Sequence, residues 1–387
     1  MNIPYGRQLI DKDDINSIVN VLKSDWLTQG PKIAEFEEAL AKYCGAKYAV
    51  VVNSGTAALH VAYFAAGLKK GDEFITTPLT FAATANAGLY LGAKPVFADV
   101  DEHGNLNPKE VEKKINKKTK LISVVDYAGH PAQLDDFRKI CKKRQLVLVE
   151  DACQALGAVY FGKKIGSISD LTTFSFHPVK SITTGEGGAV LTNNKQWYEA
   201  MLRFRTHGIT KDASKYKNKE EGDWYHEMQD LGFNYRMTDI QAALGISQLK
   251  KLDRFIRARK SIAQKYHRAF AKLEKYIILP FEDARIQSAW HLYPIRLKGV
   301  LIKKRKEIFD ALRAAGIGVQ VHHIPTYFHP YYQRLARLPA RQGYKKGLCL
   351  KAEGWYNTEI SLPIFPGLTS TDQQKVIQAL AQIVAKV

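Results

Sequence analysis

The sequence predicts an α/β protein: one large, mostly parallel, seven-stranded sheet sandwiched by helices, followed by a smaller α+β C-terminal domain. Three observations carry this. Between about residues 46 and 192, short β-rich runs alternate with helical patterns, as in sheets whose crossovers are helices. The runs are continuously apolar, which suits strands covered on both faces. At 387 residues the chain also exceeds the size at which a single core usually stops growing.

The strand runs are Tyr48–Val52, Phe74–Thr77, Pro95–Ala98, Leu121–Val125, Leu146–Val149, Leu171–Phe176 and Ala189–Leu191. Residues 211–230, polar and without apolar periodicity, read as an exposed loop. From Ile240 to about Leu273 a helical pattern rich in Ala, Leu, Lys and Arg is long enough to bridge two units. Strand-like His291–Ile295 and Val319–His322 then alternate with helical Lys303–Ala315 and a final helix from Asp372. We therefore expect a large domain, 1–245, including an N-terminal segment, and a small domain, 246–387, including the bridging helix.

Composition excludes several classes. Hydrophobic residues make up 45% and charged residues 25%, ordinary for a globular protein. Cys44, Cys141, Cys153 and Cys349 are scattered, so neither a disulfide framework nor a metal site is expected. No signal peptide or bilayer-spanning stretch is legible, and a cytoplasmic location is the simplest expectation. The net charge of +19 comes from dispersed lysines and arginines without a nucleic-acid-binding signature, so no nucleic-acid partner is expected. An anionic cofactor and an anionic substrate fit that field better.

The chemistry gathers at strand ends. The run Leu146–Val149 leads into Glu150-Asp151, and Lys180 closes the stretch Thr172–Lys180. A strand-end acid and a lysine just past another strand are the two handles pyridoxal 5′-phosphate (PLP) needs. The amine forms a Schiff base with its aldehyde, and the carboxylate keeps its ring nitrogen protonated. An isolated strand-end aspartate is more often a cap, but Gln154 follows closely and offers an amide. The first strand runs into Asn53-Ser54-Gly55-Thr56 and a helix start, a plausible phosphate cradle, although Ser-Gly-Thr is also ordinary capping. Ser175 would add a hydroxyl or else be a buried strand serine. Phe81 would stack on a flat ring or else be core. His177 either approaches the cofactor or packs the turn.

Taken together, Trp26–Gly30, Asn53–Thr56, Asp151–Gln154, Ser175–Lys180, Thr184–Gly188 and Asn234–Met237 resemble the DegT/DnrJ/EryC1/StrS family of sugar aminotransferases over nearly the whole chain. The resemblance implies the aspartate aminotransferase-like fold, PLP-dependent fold type I. It implies that Lys180 binds the aldehyde, Asp151 partners the pyridinium and Gln154 contacts the ring or O3′. Gly55, Thr56 and Ser175 would hold the phosphate, with Phe81 stacked on the ring. Asn234 would reach the cofactor phosphate of the partner subunit, which implies a homodimer with sites at the interface. One branch of the family replaces the lysine with histidine and dehydrates instead; this chain retains Lys180, which implies transamination.

Asp25–Gly30, Asp126–Gly129, His177–Lys180, Arg203–Gly208 and Gln320–His322 look most like the branch that uses L-glutamate to aminate C4 of UDP-2-acetamido-2,6-dideoxy-β-L-arabino-hexos-4-ulose, a step of pseudaminic acid biosynthesis. Tyr5, Trp26, Thr28, His177, Arg205, His322 and Tyr327 are candidates for the cationic and hydrogen-bonding partners such a nucleotide-sugar needs, although Tyr5 and Tyr327 also suit core aromatics and the basic residues a solvated surface. His323 and a longer 211–230 loop depart from the branch. Two alternatives stay open. One is a family aminotransferase acting on a D-configured UDP-4-keto-sugar or a dTDP-3-keto-sugar. The other is a PLP-fold regulator that binds nucleic acid.

Overall fold

The computed structural model describes residues 3–218, 220–281, 283, 285–335 and 344–386. Its main sheet consists of β1 (Tyr48–Val52), β2 (Glu73–Thr76), β3 (Lys94–Phe97), β4 (Thr119–Val125), β5 (Val147–Asp151), β6 (Leu171–Ser175) and β7 (Gly188–Thr192). Each expected run appears within two residues at either end. The strand order is β1-β7-β6-β5-β4-β2-β3. β2 to β6 run parallel, while β7 is antiparallel to both β1 and β6.

Alternation along the strands divides the packing. Ala49 and Val51 join one hydrophobic cluster with Phe36 and Leu40 of helix Pro31–Cys44 and with Phe137 of helix Leu134–Arg144. Val50 and Val52 join the opposite cluster with Ala58, Val61 and Ala62 of helix Gly55–Ala65 and with Met201 of helix Lys195–Phe204. Coverage on both faces explains the uninterrupted apolar runs.

The expected helix from Ile240 to Leu273 is divided into Asp239–Leu249 and Leu252–Phe270. At the division, the Lys251 ammonium is drawn to Asp11 and lies 2.8 Å from the carboxylate of Asp14. The first helix is buried on most sides, with Gly245 lying against the Phe36 ring. The second is one-sided and joins two cores: Leu252 and Phe255 pack with the main sheet, Ile262, Tyr266 and Phe270 with the C-terminal cluster.

That second core rests on a three-stranded antiparallel sheet of Ile277–Ile278, Tyr293–Leu297 and Glu359–Leu362. Helices Arg305–Ala314 and Ser370–Lys386 contribute to the same cluster. Ile3 pairs with Ile317 and is also part of it. The expected strand Val319–His322 is reduced to a single bridge, Gln320 to Ser361. The reason is local: the His322 N–H donates to the Glu359 carboxyl at 2.7 Å instead of to a strand. The 211–230 segment is mostly exposed, as expected; it includes a short 3-10 turn, Ala213–Lys215, and a two-residue pairing of Ile209–Thr210 to Glu227–Met228. Among the described residues no helix is long and apolar enough to cross a membrane.

Candidate active site

Parallel strands carry their side-chain chemistry at their C-terminal ends, and β5 and β6 end there in Asp151 and Ser175. Beside them the chain leaves β1 and starts helix Gly55–Ala65, capped by Ser54, whose hydroxyl accepts from Ala57 N–H at 3.0 Å. A helix start leaves its leading N–H groups without intrahelical acceptors. The approach here is close: a Cβ added to Gly55 would lie 2.8 Å from the Ser175 Cβ, and one on Gly188 would lie 2.5 Å from the Ser54 carbonyl oxygen. Gly55, Thr56 and Ser175 are thus brought together. Gly188→Ala is expected to cost about 1–3 kcal/mol through the forced backbone shift, measured by urea unfolding.

Asp151 is 5% exposed. Its Oδ2 accepts from the Thr84 hydroxyl at 2.6 Å and its Oδ1 from Cys153 N–H at 3.2 Å. A second hydroxyl, Thr80, lies 2.7 Å behind Thr84. Among the described residues no side-chain cation stands within 4.0 Å of this carboxylate. Lys180 closes a turn through its N–H to the His177 carbonyl, 2.9 Å. Thr183 and Thr184 tie the same segment back to the Phe176 carbonyl. Lys180 is half-buried by surface exposure, yet crowded enough that desolvation lowers its amine below the ordinary 10.5. Arg259 lowers it further, while Cys153 and Asp151 oppose the shift. A half-buried lysine held toward its free-base form, within the field of an anchored carboxylate, is equipped for imine formation and proton transfer.

Gln154 follows three residues after Asp151. Its Oε1 accepts from Ala128 N–H at 2.7 Å, and its Nε2 is 3.4 Å from the His323 Nε2. Ala128 has a φ of 58° and the neighbouring Gly129 one of 89°. His322 closes the wall, its ring 5.7 Å from that of Tyr5 and its carbonyl accepting from the Tyr127 hydroxyl at 2.6 Å. Desolvation, with a contribution from Lys180, holds His322 down at about 4. The N-terminal segment reaches the site too, since a Cβ on Gly6 would lie 3.6 Å from Val179.

The remaining residues are placed differently. Phe81 is 66% and Trp26 55% exposed. Thr28, His177 and Asn234 are also exposed. The Asn234 carbonyl accepts from the Asn53 amide at 3.4 Å, tying it to the cradle. Arg205 turns inward: its Nη1 pairs with Glu37 and donates to the Val51 carbonyl at 2.6 Å. Tyr327 is fully buried; its hydroxyl donates to Glu353 at 2.7 Å and accepts from Cys349 N–H at 3.1 Å.

Sequence reading missed Thr84, His291 and Arg259. Thr84 stands in the first turn of helix Ala83–Tyr90, four residues after Thr80 in the preceding bend, and that spacing of two hydroxyls was the available signal. His291 is buried, and desolvation followed by the charges of Lys180 and Arg259 keeps it neutral. Arg259 is fully buried, donates to the carbonyls of Trp290, His291 and Ile364, and is lowered to about 10 by desolvation.

The Glu359 carboxyl that holds His322 is itself raised to about 8 by burial. Folded protein therefore keeps a proton that unfolded protein releases above about 4.5, and stability falls as pH rises through that window. Glu359→Gln should lose less stability than the parent between about pH 5 and about pH 8, as read by urea unfolding at both values.

The model of the DegT/DnrJ/EryC1/StrS aminotransferase family matches residues 8–381. A protein of Methanocaldococcus jannaschii without an assigned function is 45% identical over 99% of this chain and 98% of its own length. The UDP-4-amino-4,6-dideoxy-N-acetyl-beta-L-altrosamine transaminase of Campylobacter jejuni is 42% identical over 100% of this chain and 98% of its own. Among solved structures, Helicobacter pylori PseC, an aminotransferase involved in the biosynthesis of pseudaminic acid, superposes with a TM-score of 0.92 at 36% identity, covering 100% of both chains. The sheet order and its helical layers are those of fold type I, and the family's aminotransferases depend on PLP. This chain is thus a PLP-dependent nucleotide-sugar aminotransferase, and it belongs to the DegT/DnrJ/EryC1/StrS family.

Proposed function

We propose that the enzyme transfers the amino group of L-glutamate to C4 of UDP-2-acetamido-2,6-dideoxy-β-L-arabino-hexos-4-ulose, in pseudaminic acid biosynthesis. The observation that carries the reaction is a desolvated Lys180 within the field of an anchored Asp151 at the C-terminal sheet edge. What supports the substrate is full-length likeness to the Campylobacter jejuni transaminase named above.

PLP, when bound, supplies the electron sink for the carbanion chemistry. The residues present fit it. Asp151 is a buried carboxylate whose protein partners are a hydroxyl and an N–H rather than a cation, which suits a protonated ring nitrogen. Lys180 would hold the aldehyde and, as a free amine, would carry the proton at the substrate carbon. Gly55, Thr56 and Ser175 would hold the phosphate at the helix start. Gln154 would contact the ring or O3′, and Phe81, 66% exposed, would stack on it. Phe81→Ala is expected to weaken PLP retention about five- to tenfold, the scale of one aromatic stack, measured by dialysis against free cofactor.

For the sugar nucleotide we keep Tyr5, Trp26, Thr28, His177 and His322 as contacts. We leave out Arg205 and Tyr327, whose polar groups are engaged inside the protein. We further propose a homodimer in which Asn234 serves the cofactor of the partner subunit. Its exposed position beside Phe233, itself 40% exposed, supports this. The test is the mass and configuration of the product formed from purified L-arabino, D-configured and dTDP-linked keto-sugars with glutamate. Amination of only the D-series or dTDP sugar would overturn the substrate assignment and leave the transaminase reaction standing.

A further inference from the structure

We propose that His323 is a positioning residue for amino transfer: as a neutral imidazole protonated on Nδ1, it accepts a hydrogen bond from Gln154 and locks that amide in one orientation. The functional consequence rests on the reading that Gln154 contacts the cofactor ring.

The argument is geometric. Gln154 Oε1 takes the Ala128 N–H at 2.7 Å, so the oxygen end of the amide is fixed. The opposite end is then the NH₂ group, and its nitrogen stands 3.4 Å from the His323 Nε2. An amide NH₂ only donates, so the ring nitrogen facing it must carry a lone pair. That places the imidazole proton on Nδ1. The Gln154 backbone lies close against Gly129, where an added Cβ would stand 2.7 Å from the Gln154 carbonyl oxygen.

The surroundings favour the neutral ring. His322 lies 5.0 Å away and Tyr127 6.5 Å away, centroid to centroid. His291 and Lys180 are within electrostatic reach. These are neutral groups and an amine; the Glu359 carboxyl, which takes the His322 N–H at 2.7 Å, is raised to about 8 by burial. Burial first, then His322 and Lys180, hold the imidazole well below its ordinary 6.5. The lock therefore holds at pH 6.5 and above, and opens only in more acidic solution, where a protonated ring would present a donor to a donor.

The test uses the full chain labelled with ¹⁵N-histidine, apo and PLP-loaded, read by long-range proton–nitrogen NMR and assigned by subtracting the His323→Phe spectrum. A neutral Nδ1–H tautomer is expected in both forms. His323→Phe should raise the PLP dissociation constant about tenfold, the worth of one hydrogen bond, and lower kcat by a similar factor. His323→Gln, which offers a carbonyl acceptor, should return both to within about threefold of the parent. An Nε2–H or doubly protonated His323 in the parent overturns the proposal. So does a His323→Phe protein with parental cofactor affinity while Gln154→Ala loosens PLP. A parent that takes up no PLP at Lys180, by borohydride trapping and peptide mass, instead overturns the assignment of the site itself.

Discussion

Replacing Lys180 with alanine should abolish turnover, with a loss of about 10⁴-fold or more, because one side chain supplies both the aldehyde-binding amine and the moving proton. The variant should also lose the visible absorbance of the loaded enzyme and any borohydride-stable adduct at position 180. Folding should survive. Lys180 is lowered from 10.5 by desolvation, so between its lowered value and 10.5 the unfolded chain holds more protons than the folded one. Parental apo-protein therefore gains stability as pH rises through that window. Lys180→Met removes the titrating group, and its stability should change less with pH over the same range. Urea unfolding at several pH values separates lost chemistry from lost fold. A Lys180→Ala enzyme that turns over within tenfold of the parent would refute the assignment.

Asp151→Asn should lower kcat about 10²–10³-fold, the scale of removing one preorganised electrostatic partner. The amide is nearly isosteric, but it carries no charge to favour a protonated ring nitrogen. It also accepts at only one of the two atoms that now take Thr84 and Cys153. KM for glutamate should move much less than kcat, because Asp151 acts on the cofactor rather than on the donor. Steady-state kinetics with both substrates decides this, and equal changes in kcat and KM would point to a general loss of site geometry. Thr84→Val should reproduce part of the effect, since it removes the hydroxyl that orients Oδ2.

The strands were legible because burial on both faces writes itself as a continuous apolar run; β1, with Ala49 and Val51 on one side and Val50 and Val52 on the other, is an example. Lys180, Asp151, Ser175 and Gly55 stood out as candidates for a related reason: Asp151 and Ser175 end strands, and Gly55 and Lys180 follow shortly after strands end, where the apolar run stops. The bridging helix was legible as helical pattern but not as two helices. The division depends on Asp11 and Asp14 reaching Lys251 from more than 230 residues away, and no local pattern records that. Tyr327 and Arg205 looked like substrate contacts because a tyrosine hydroxyl and a guanidinium can face either solvent or core. Glu353, Glu37 and the Val51 carbonyl settle which.

The sequence by itself determined the layered α/β architecture, and it marked Lys180, Asp151 and the helix start at Gly55 as candidates, because these follow from periodicity and from where the strand runs end. Only the tertiary structure decided which groups stand around that pair. Thr84 behind Asp151, His323 opposite Gln154 and buried Arg259 beside Lys180 come from separate segments of the chain. Their protonation and hydrogen bonding depend on desolvation and on distances of a few ångströms, and neither exists until the strands and the C-terminal unit have packed.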